Sequence, residues 1–141
     1  MTVDCRDPER QARFWAAALG YVIEPPPAGF PSWGAYWRSK GVPAEETTDA
    51  PDSIMDPTGA GPGIWFQVVG EPKTVKNRWH LDLSVSGGPT VPYAVRRERV
   101  EAEASRLVLL GARRIGPVQD EGVDHYAVAM LDPEGNEFDI N

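Results

Sequence analysis

Residues 76–85, with the sequence KNRWHLDLSV, carry the pattern that decides the fold. From Trp79 onward the large apolar side chains fall on one parity, whereas His80, Asp82 and Ser84 fall on the other. Alternation with a period of two is typical of a half-buried β-strand. The pattern therefore predicts a strand whose second face carries His80 and Asp82, either toward solvent or into a pocket.

The part of the chain before this strand predicts a strand at the N-terminus and a helix that begins behind Asp7 and ends at Gly20. Three further strands are predicted at residues 21–24, 32–39 and 64–69. Between the last two lies the polar, proline-bearing stretch 41–63, which we expect to be a long surface loop or a lid.

The part after residue 76 repeats this order. A helix is predicted from about Pro92 to Leu110, then three strands, the last of which follows the turn at residues 132–136. A repeat of roughly 75 residues indicates an internal duplication. We therefore expect an α+β fold in which residues 1–141 form a single domain of two βαβββ modules. Module one covers about residues 1–70 and module two about 77–141.

Charge and composition exclude several classes of partner and site. The chain has a net charge of −7 and a sequence pI near 4.8, which argues against nucleic acid or an anionic membrane as the main partner. A single cysteine, Cys5, excludes an intrachain disulfide and multi-cysteine zinc sites. The polar N-terminus and the absence of a long apolar run predict a cytoplasmic protein without a membrane span.

The polar faces of three predicted strands hold the candidate ligands. Four side chains would meet at one point if these faces were turned toward each other: His80, Gln67, Glu137 and Asp139. This requires that residues 64–69 turn the side of the strand that carries Gln67 toward the same point. An imidazole, an amide oxygen and carboxylates suit a divalent ion such as Zn²⁺, Fe²⁺, Mn²⁺ or Ni²⁺. The alternative is that Glu137 and Asp139 only form a solvated face.

Other side chains are candidates for contact with a substrate. Aromatic residues could wall a cavity that stacks a flat or apolar ligand, although aromatic side chains in short strands are more often core. Arg78 lies in the chain's one positive cluster and could dock an anionic group, or it could belong to a solvated turn. The candidates for substrate binding are Trp33, Trp37, Trp65, Arg78 and Tyr126.

Five segments of the sequence look like those of a known superfamily: Asp7–Arg10, Phe14–Trp15, Leu19–Tyr21, Leu107–Ala112 and Asp132–Phe138. They resemble the vicinal oxygen chelate superfamily, also called the glyoxalase/bleomycin-resistance/dioxygenase fold. Residues 72–82 are similar to its actinobacterial glyoxalase-like proteins. The resemblance implies a U-shaped mixed sheet around a cavity, often with a divalent metal held by one residue from each of four strands.

The resemblance also implies roles for particular residues. His80 matches the superfamily's histidine at the start of the second module, Asp139 stands where its C-terminal glutamate usually stands, and Gln67 falls near the ligand position of the fourth strand. The first-strand ligand would fall before Met1, so we expect an incomplete metal set of His80, Gln67 and Asp139. Glu137 and His80 are the expected catalytic residues.

Two functions remain open at this point. The first is an enzyme of lyase, isomerase or dioxygenase type that acts on a small oxygenated metabolite in a central cavity. The second is a non-catalytic binding protein that sequesters an antibiotic or another aromatic small molecule, as bleomycin-resistance members of the superfamily do. Either would have a small-molecule ligand, and the resemblance implies a homodimer.

Overall fold

The first helix shows how local sequence starts and stops an element. Asp7 accepts a hydrogen bond from the Arg10 amide through its side chain, Pro8 occupies the first turn, and Gly20 ends the helix with φ 70°. This left-handed backbone is where glycine carries no steric cost. The computed structural model describes residues 1–118 and 124–141.

The chain divides into two units, Met1–Gly70 and Glu71–Asn141. The elements of the first unit are β1 (Thr2–Cys5), α1 (Pro8–Leu19), β2 (Val22–Ile23), α2 (Trp33–Ser39), a 3₁₀ turn (Ala44–Glu46), β3 (Ser53–Met55) and β4 (Ile64–Val68). Those of the second are β5 (Asp82–Leu83), α3 (Tyr93–Leu109), β6 (Arg113–Val118), β7 (Ala127–Leu131) and β8 (Glu137–Ile140). The predicted α+β class is confirmed.

In the first unit the sheet order is β1-β4-β3-β2, with β1 parallel to β4 and the other pairs antiparallel. α1 packs on β2, β3 and β4. Ile64 and Phe66 are buried, whereas Trp65 and Gln67 are exposed. Of the two alternatives for this strand, the structure therefore has the one in which the Gln67 side chain lies on the open face. Apolar burial on one face of a sheet is the main stabilising contribution in such a layer.

The predicted strand at residues 32–39 is wrong, because these residues form α2. The Ser32 side chain accepts a hydrogen bond from the Ala35 amide and begins the helix. Trp33, Tyr36 and Trp37 follow at the i, i+3, i+4 spacing of one helix face. Their aromatic character favoured a strand, but the spacing and the N-cap favoured the helix that forms.

The prediction of one long loop over residues 41–63 is also wrong. β3 lies within it and pairs with both β2 and β4, so it is an inner strand of the sheet. Its central residue, Ile54, is fully buried.

In the second unit the sheet order is β5-β8-β7-β6, which repeats the order of the first. β5 is parallel to β8, and the other pairs are antiparallel. α3 packs on β6, β7 and β8. Val100, Ala104 and Leu107 of α3 are buried, as are Phe138 and Ile140 of β8.

The strand predicted around His80 is shorter than its alternation suggested. β5 begins only at Asp82, and Trp79, predicted on the apolar face, is 90% exposed. The backbone bonds between β5 and β8 reach back only as far as the Leu81 carbonyl, which accepts from the Asp139 amide. An alternating sequence pattern leads to a buried side chain only where the residues form a paired strand and another layer of the fold covers that face.

The same turn sequence, Asp-Pro-x-Gly, connects equivalent strands in the two units. Residues 56–59 follow β3 and residues 132–135 follow β7. In register, Ile54 pairs with Ile64 in the first unit as Met130 pairs with Phe138 in the second. The two units therefore repeat each other in residue positions as well as in strand order.

None of the helices within the described ranges combines the length and the apolar character that a membrane crossing requires.

We expect Asp132→Ala to lower the free energy of unfolding by about 2–4 kcal/mol, because Asp132 is buried and its carboxylate holds the turn. It accepts hydrogen bonds from the amides of Glu134 and Asn136 and from the Asn136 side chain, each 2.9 Å long. Urea unfolding measures the change. Asp4→Ala, at an exposed position of β1, is the control and should stay within about 0.5 kcal/mol of the wild type. Equal losses in both variants would contradict this role of Asp132.

Candidate functional site

The parallel pairing of β5 with β8 creates a polar cluster in the second unit. Asp82 is paired with Asp139 in register, and Leu83 is paired with Ile140. Leu83 and Ile140 are buried. Since successive side chains of a strand point to opposite faces, the two aspartates lie together on the open face of the sheet.

His80 joins these aspartates from the residues just before β5. Its Nδ1 lies 2.8 Å from Asp82 Oδ1 and 3.8 Å from Asp139 Oδ2. One ligand atom from each of the three side chains can be chosen so that all lie within 4.8 Å of one another. The side chains of His80, Asp82 and Asp139 are 40%, 49% and 28% exposed, so the cluster is open to small molecules.

Glu137, predicted as catalytic, is held by other groups. Its Oε2 accepts hydrogen bonds from the Asn77 amide at 3.0 Å and from Lys73 Nζ at 2.9 Å. Lys73 also donates to the Val75 carbonyl. These donors lower the pKa of Glu137 to about 2, with the Asn77 amide as the largest cause. The carboxylate therefore fixes residues 73–77 against β8.

The remaining predicted ligand, Gln67, lies exposed on β4 of the first unit. The three clustered residues all belong to the second unit, so the inclusion of Gln67 in one metal set stays a prediction. Arg78 is exposed in the segment before His80, and its contact with a substrate also stays a prediction.

Three predicted substrate-binding residues come together in the first unit. A recess of about 460 Å³, here called the tryptophan recess, is lined by Trp33 and Trp37 of α2, Trp65 of β4, and Asp52 and Ser53. The rings of Trp33 and Trp37 are stacked, with centroids 6.2 Å apart and planes at 23°. Trp65 Nε1 donates to Asp52 Oδ2 at 3.2 Å.

Two hydrogen bonds anchor α2 beside the sheet. Trp33 Nε1 donates to the Glu24 carbonyl at 3.0 Å, and the Gly34 amide donates to Asp49 Oδ1 at 2.9 Å. A Cβ at Gly34 would lie 2.6 Å from that same carboxylate oxygen, so any other residue would displace the Asp49 side chain from this hydrogen bond. The first bond holds the Trp33 ring, and the second holds the backbone at the start of α2.

The tryptophan recess and the polar cluster use equivalent positions of the repeated units. Trp65 is paired with Ser53 on one side and Thr2 on the other. Asp139 is paired in the same way with Ala129 and Asp82. One strand position thus carries an indole in the first unit and a carboxylate in the second.

Tyr126, the remaining substrate-binding candidate, packs against α3 within the second unit. It is buried, its hydroxyl donates to Glu101, and its ring contacts Tyr93 and Arg97 of α3. Arg114 and the Tyr126 hydroxyl lower the pKa of Glu101 to about 2. The structure brings Tyr126 together with α3 and β6, not with the polar cluster.

Three residues of these sites were not among the sequence-based candidates: Asp82, Asp52 and Ser53. Asp82 was placed beside His80 by alternation, which was the available signal, but was not chosen as a ligand. Asp52 and Ser53 lay in the stretch predicted to be a loop, and the Asp-Pro-x-Gly turn after β3 was the signal that could have identified the strand that begins at Ser53.

A family model described as a glyoxalase-like domain matches residues 1–141. Among proteins with curated descriptions, none matches this chain.

Several solved structures share the fold at low sequence identity. A glyoxalase/bleomycin resistance protein/dioxygenase family enzyme from Burkholderia phytofirmans PsJN is 19% identical, with a TM-score of 0.60, over 100% of this chain and 94% of that one. The fosfomycin resistance protein FosX from Mesorhizobium loti is 13% identical, with a TM-score of 0.55, over 99% and 86%. A mutant FosX from Listeria monocytogenes, complexed with Mn(II) and 1S,2S-dihydroxypropylphosphonic acid, is 11% identical, with a TM-score of 0.59, over 99% and 84%.

We expect Glu137→Gln to lower the free energy of unfolding at pH 7 by about 1 kcal/mol, because the charged bonds to Lys73 and Asn77 weaken. Glu137 has a lower pKa in the folded than in the unfolded chain, so its contribution is full above about pH 4.5 and is lost as pH falls toward 2. The variant should therefore lose less stability than the wild type between pH 4.5 and pH 3.

Urea unfolding at pH 7, 4.5 and 3 checks both parts of this prediction. Glu45→Gln, on the exposed 3₁₀ turn, is the matched control and should follow the wild type. Parallel pH curves for Glu137→Gln and the wild type would refute the role given to the Lys73 and Asn77 bonds.

Proposed function

Because the chain belongs to the glyoxalase-like domain family, we propose that it is an enzyme of lyase, isomerase or dioxygenase type that acts on a small oxygenated metabolite with a divalent metal. The observation that carries the proposal is the cluster of His80, Asp82 and Asp139 on the open face of the second sheet.

The cluster fits a divalent ion by its chemistry. It offers one imidazole nitrogen and two carboxylates, the donor types that Mn²⁺, Fe²⁺, Ni²⁺ and Zn²⁺ accept. Its ligand atoms lie within 4.8 Å of one another, and partial exposure leaves room for substrate oxygens. That a FosX structure of the same fold contains Mn(II) supports the choice of manganese as the first ion to test.

Each residue of the cluster has a distinct part in this proposal. Asp82 Oδ1 lies 2.8 Å from His80 Nδ1, and a metal held by both side chains would take the place of that hydrogen bond. Asp139 supplies the second anionic donor from β8. A bound divalent ion would act as a Lewis acid on substrate oxygens.

Glu137 does not have the proton affinity of a base at neutral pH, since its pKa is about 2. In the proposed enzyme it supports the site instead, because it ties residues 73–77, which lead to His80, against the strand that carries Asp139.

A second candidate function is non-catalytic binding of an aromatic small molecule. The tryptophan recess favours it, because its three indoles and Asp52 form an aromatic, partly polar pocket without any metal ligand of the cluster. The two functions differ in what they require of His80, which is essential only to the first.

His80→Ala and Asp139→Asn should each weaken Mn²⁺ binding at least about tenfold, because the first removes one of three ligands and the second removes the charge of another. Isothermal titration of the metal-free protein with Mn²⁺, followed by Fe²⁺, Ni²⁺ and Zn²⁺, measures the affinities. Wild-type protein should also unfold at a higher temperature with saturating metal.

His125→Ala is the matched control, since it removes the other histidine at an exposed position, and it should bind metal as the wild type does. Failure of the wild-type protein to bind any of the four ions would remove the metalloenzyme proposal. Unchanged affinity in His80→Ala would show that the metal lies elsewhere.

A further inference from the structure

The tryptophan recess combines apolar walls with a negatively charged group. We infer that it is a binding site for a flat organic cation, a fused aromatic ring system that carries a positive charge, such as an N-alkylated heteroaromatic ring. The inference deepens the second candidate function and rests on the first unit alone, so it is independent of the metal cluster.

The walls match the faces of a planar ligand. Trp37 and Trp65 are 45% and 46% exposed, which leaves large indole surfaces in contact with water in the free protein. Burial of such surface against an aromatic ring is favourable, and the electron-rich indole face also attracts a cation. A recess of about 460 Å³ lies within the usual size range of small-molecule sites.

The carboxylate decides the charge of the ligand. Asp52 Oδ2 accepts from Trp65 Nε1 and Oδ1 accepts from the Ser53 hydroxyl at 2.9 Å. A carboxylate can accept about four hydrogen bonds, so acceptor positions are left over. Within residues 1–118 and 124–141, no cationic side chain forms an ion pair with Asp52.

The cationic side chains at the C-terminal end of α2 and just beyond it do not fill this role. Arg38 donates to the Thr47 hydroxyl at 3.0 Å, and Lys40 lies over the Tyr36 ring at 5.3 Å. The net charge of −7 further favours the approach of cations over that of anions. The negative charge at the recess is therefore available to a ligand.

The recess is also held in shape before a ligand arrives. The Trp33–Glu24 and Gly34–Asp49 hydrogen bonds fix α2, and the Asp52 bond fixes the Trp65 ring. A site whose walls are already positioned loses less conformational entropy on binding. This separates the recess from a group of exposed aromatic side chains that happen to be near each other.

The test compares two rings of the same size and opposite charge, N-methylquinolinium and 2-naphthoate, by isothermal titration of the full chain in EDTA. We expect saturable 1:1 binding of the cation, at least about tenfold tighter than that of the anion. Asp52→Asn should reduce the affinity for the cation about fivefold or more and should not weaken that for the anion, because it removes the negative charge and keeps the shape.

Trp37→Ala should weaken binding of the cation, whereas Trp79→Ala, at an exposed tryptophan of the second unit, should not. Asp52→Asn keeps the proposal testable if the tryptophan variant does not fold. Absence of saturable binding, an unchanged preference in Asp52→Asn, or equal losses in Trp37→Ala and Trp79→Ala would overturn the inference. Because EDTA removes metal, none of these results depends on the His80 cluster.

Discussion

In each unit the first strand lies parallel to the last, and this pairing places residues from opposite ends of the unit side by side. Parallel neighbours need a long crossover, which here consists of a helix and the intervening strands. The crossover helix covers one face of the sheet, so the other face is left for polar or aromatic groups. The pairing of Asp82 with Asp139, and of Thr2 with Trp65, follows from this one constraint.

Much of this architecture could be predicted from local patterns. The two long helices and the strands next to them were readable from capping residues and changes of hydrophobic period. The resemblance to the vicinal oxygen chelate superfamily is confirmed by the family match over residues 1–141. Alternation correctly assigned the open face of β8, which carries Asp139, whereas for β4 it left two alternatives, of which the structure shows the one that exposes Trp65 and Gln67. It also placed Asp82 beside His80, although the ligand set implied by the resemblance omitted Asp82.

The wrong predictions concern segments whose structure depends on pairing and packing with distant residues more than on their own composition. Trp79 alternates correctly with Leu81, yet no strand pairs with it and it is exposed. β3 is only three residues long, too short for a period to be recognised, and it is placed by pairing with strands on both sides and by the packing of α1 on it. The aromatic residues of α2 favour a strand by composition, and only their spacing indicates a helix face. The pairing of Lys73 with Glu137 joins distant residues that no local pattern connects.

The repeated units separate the residues that maintain the frame from those that carry chemistry. Ile54 and Ile64 in one unit, and Met130 and Phe138 in the other, are buried partners in the same register. Trp65 and the equivalent Asp139 stand on the opposite face and are not part of that packing. After a duplication, mutation at such an open-face position can change the ligand of one copy without loss of core contacts. Divergence between the copies is therefore evolutionarily accessible, and the same positions are the natural points at which to engineer new specificity into this scaffold.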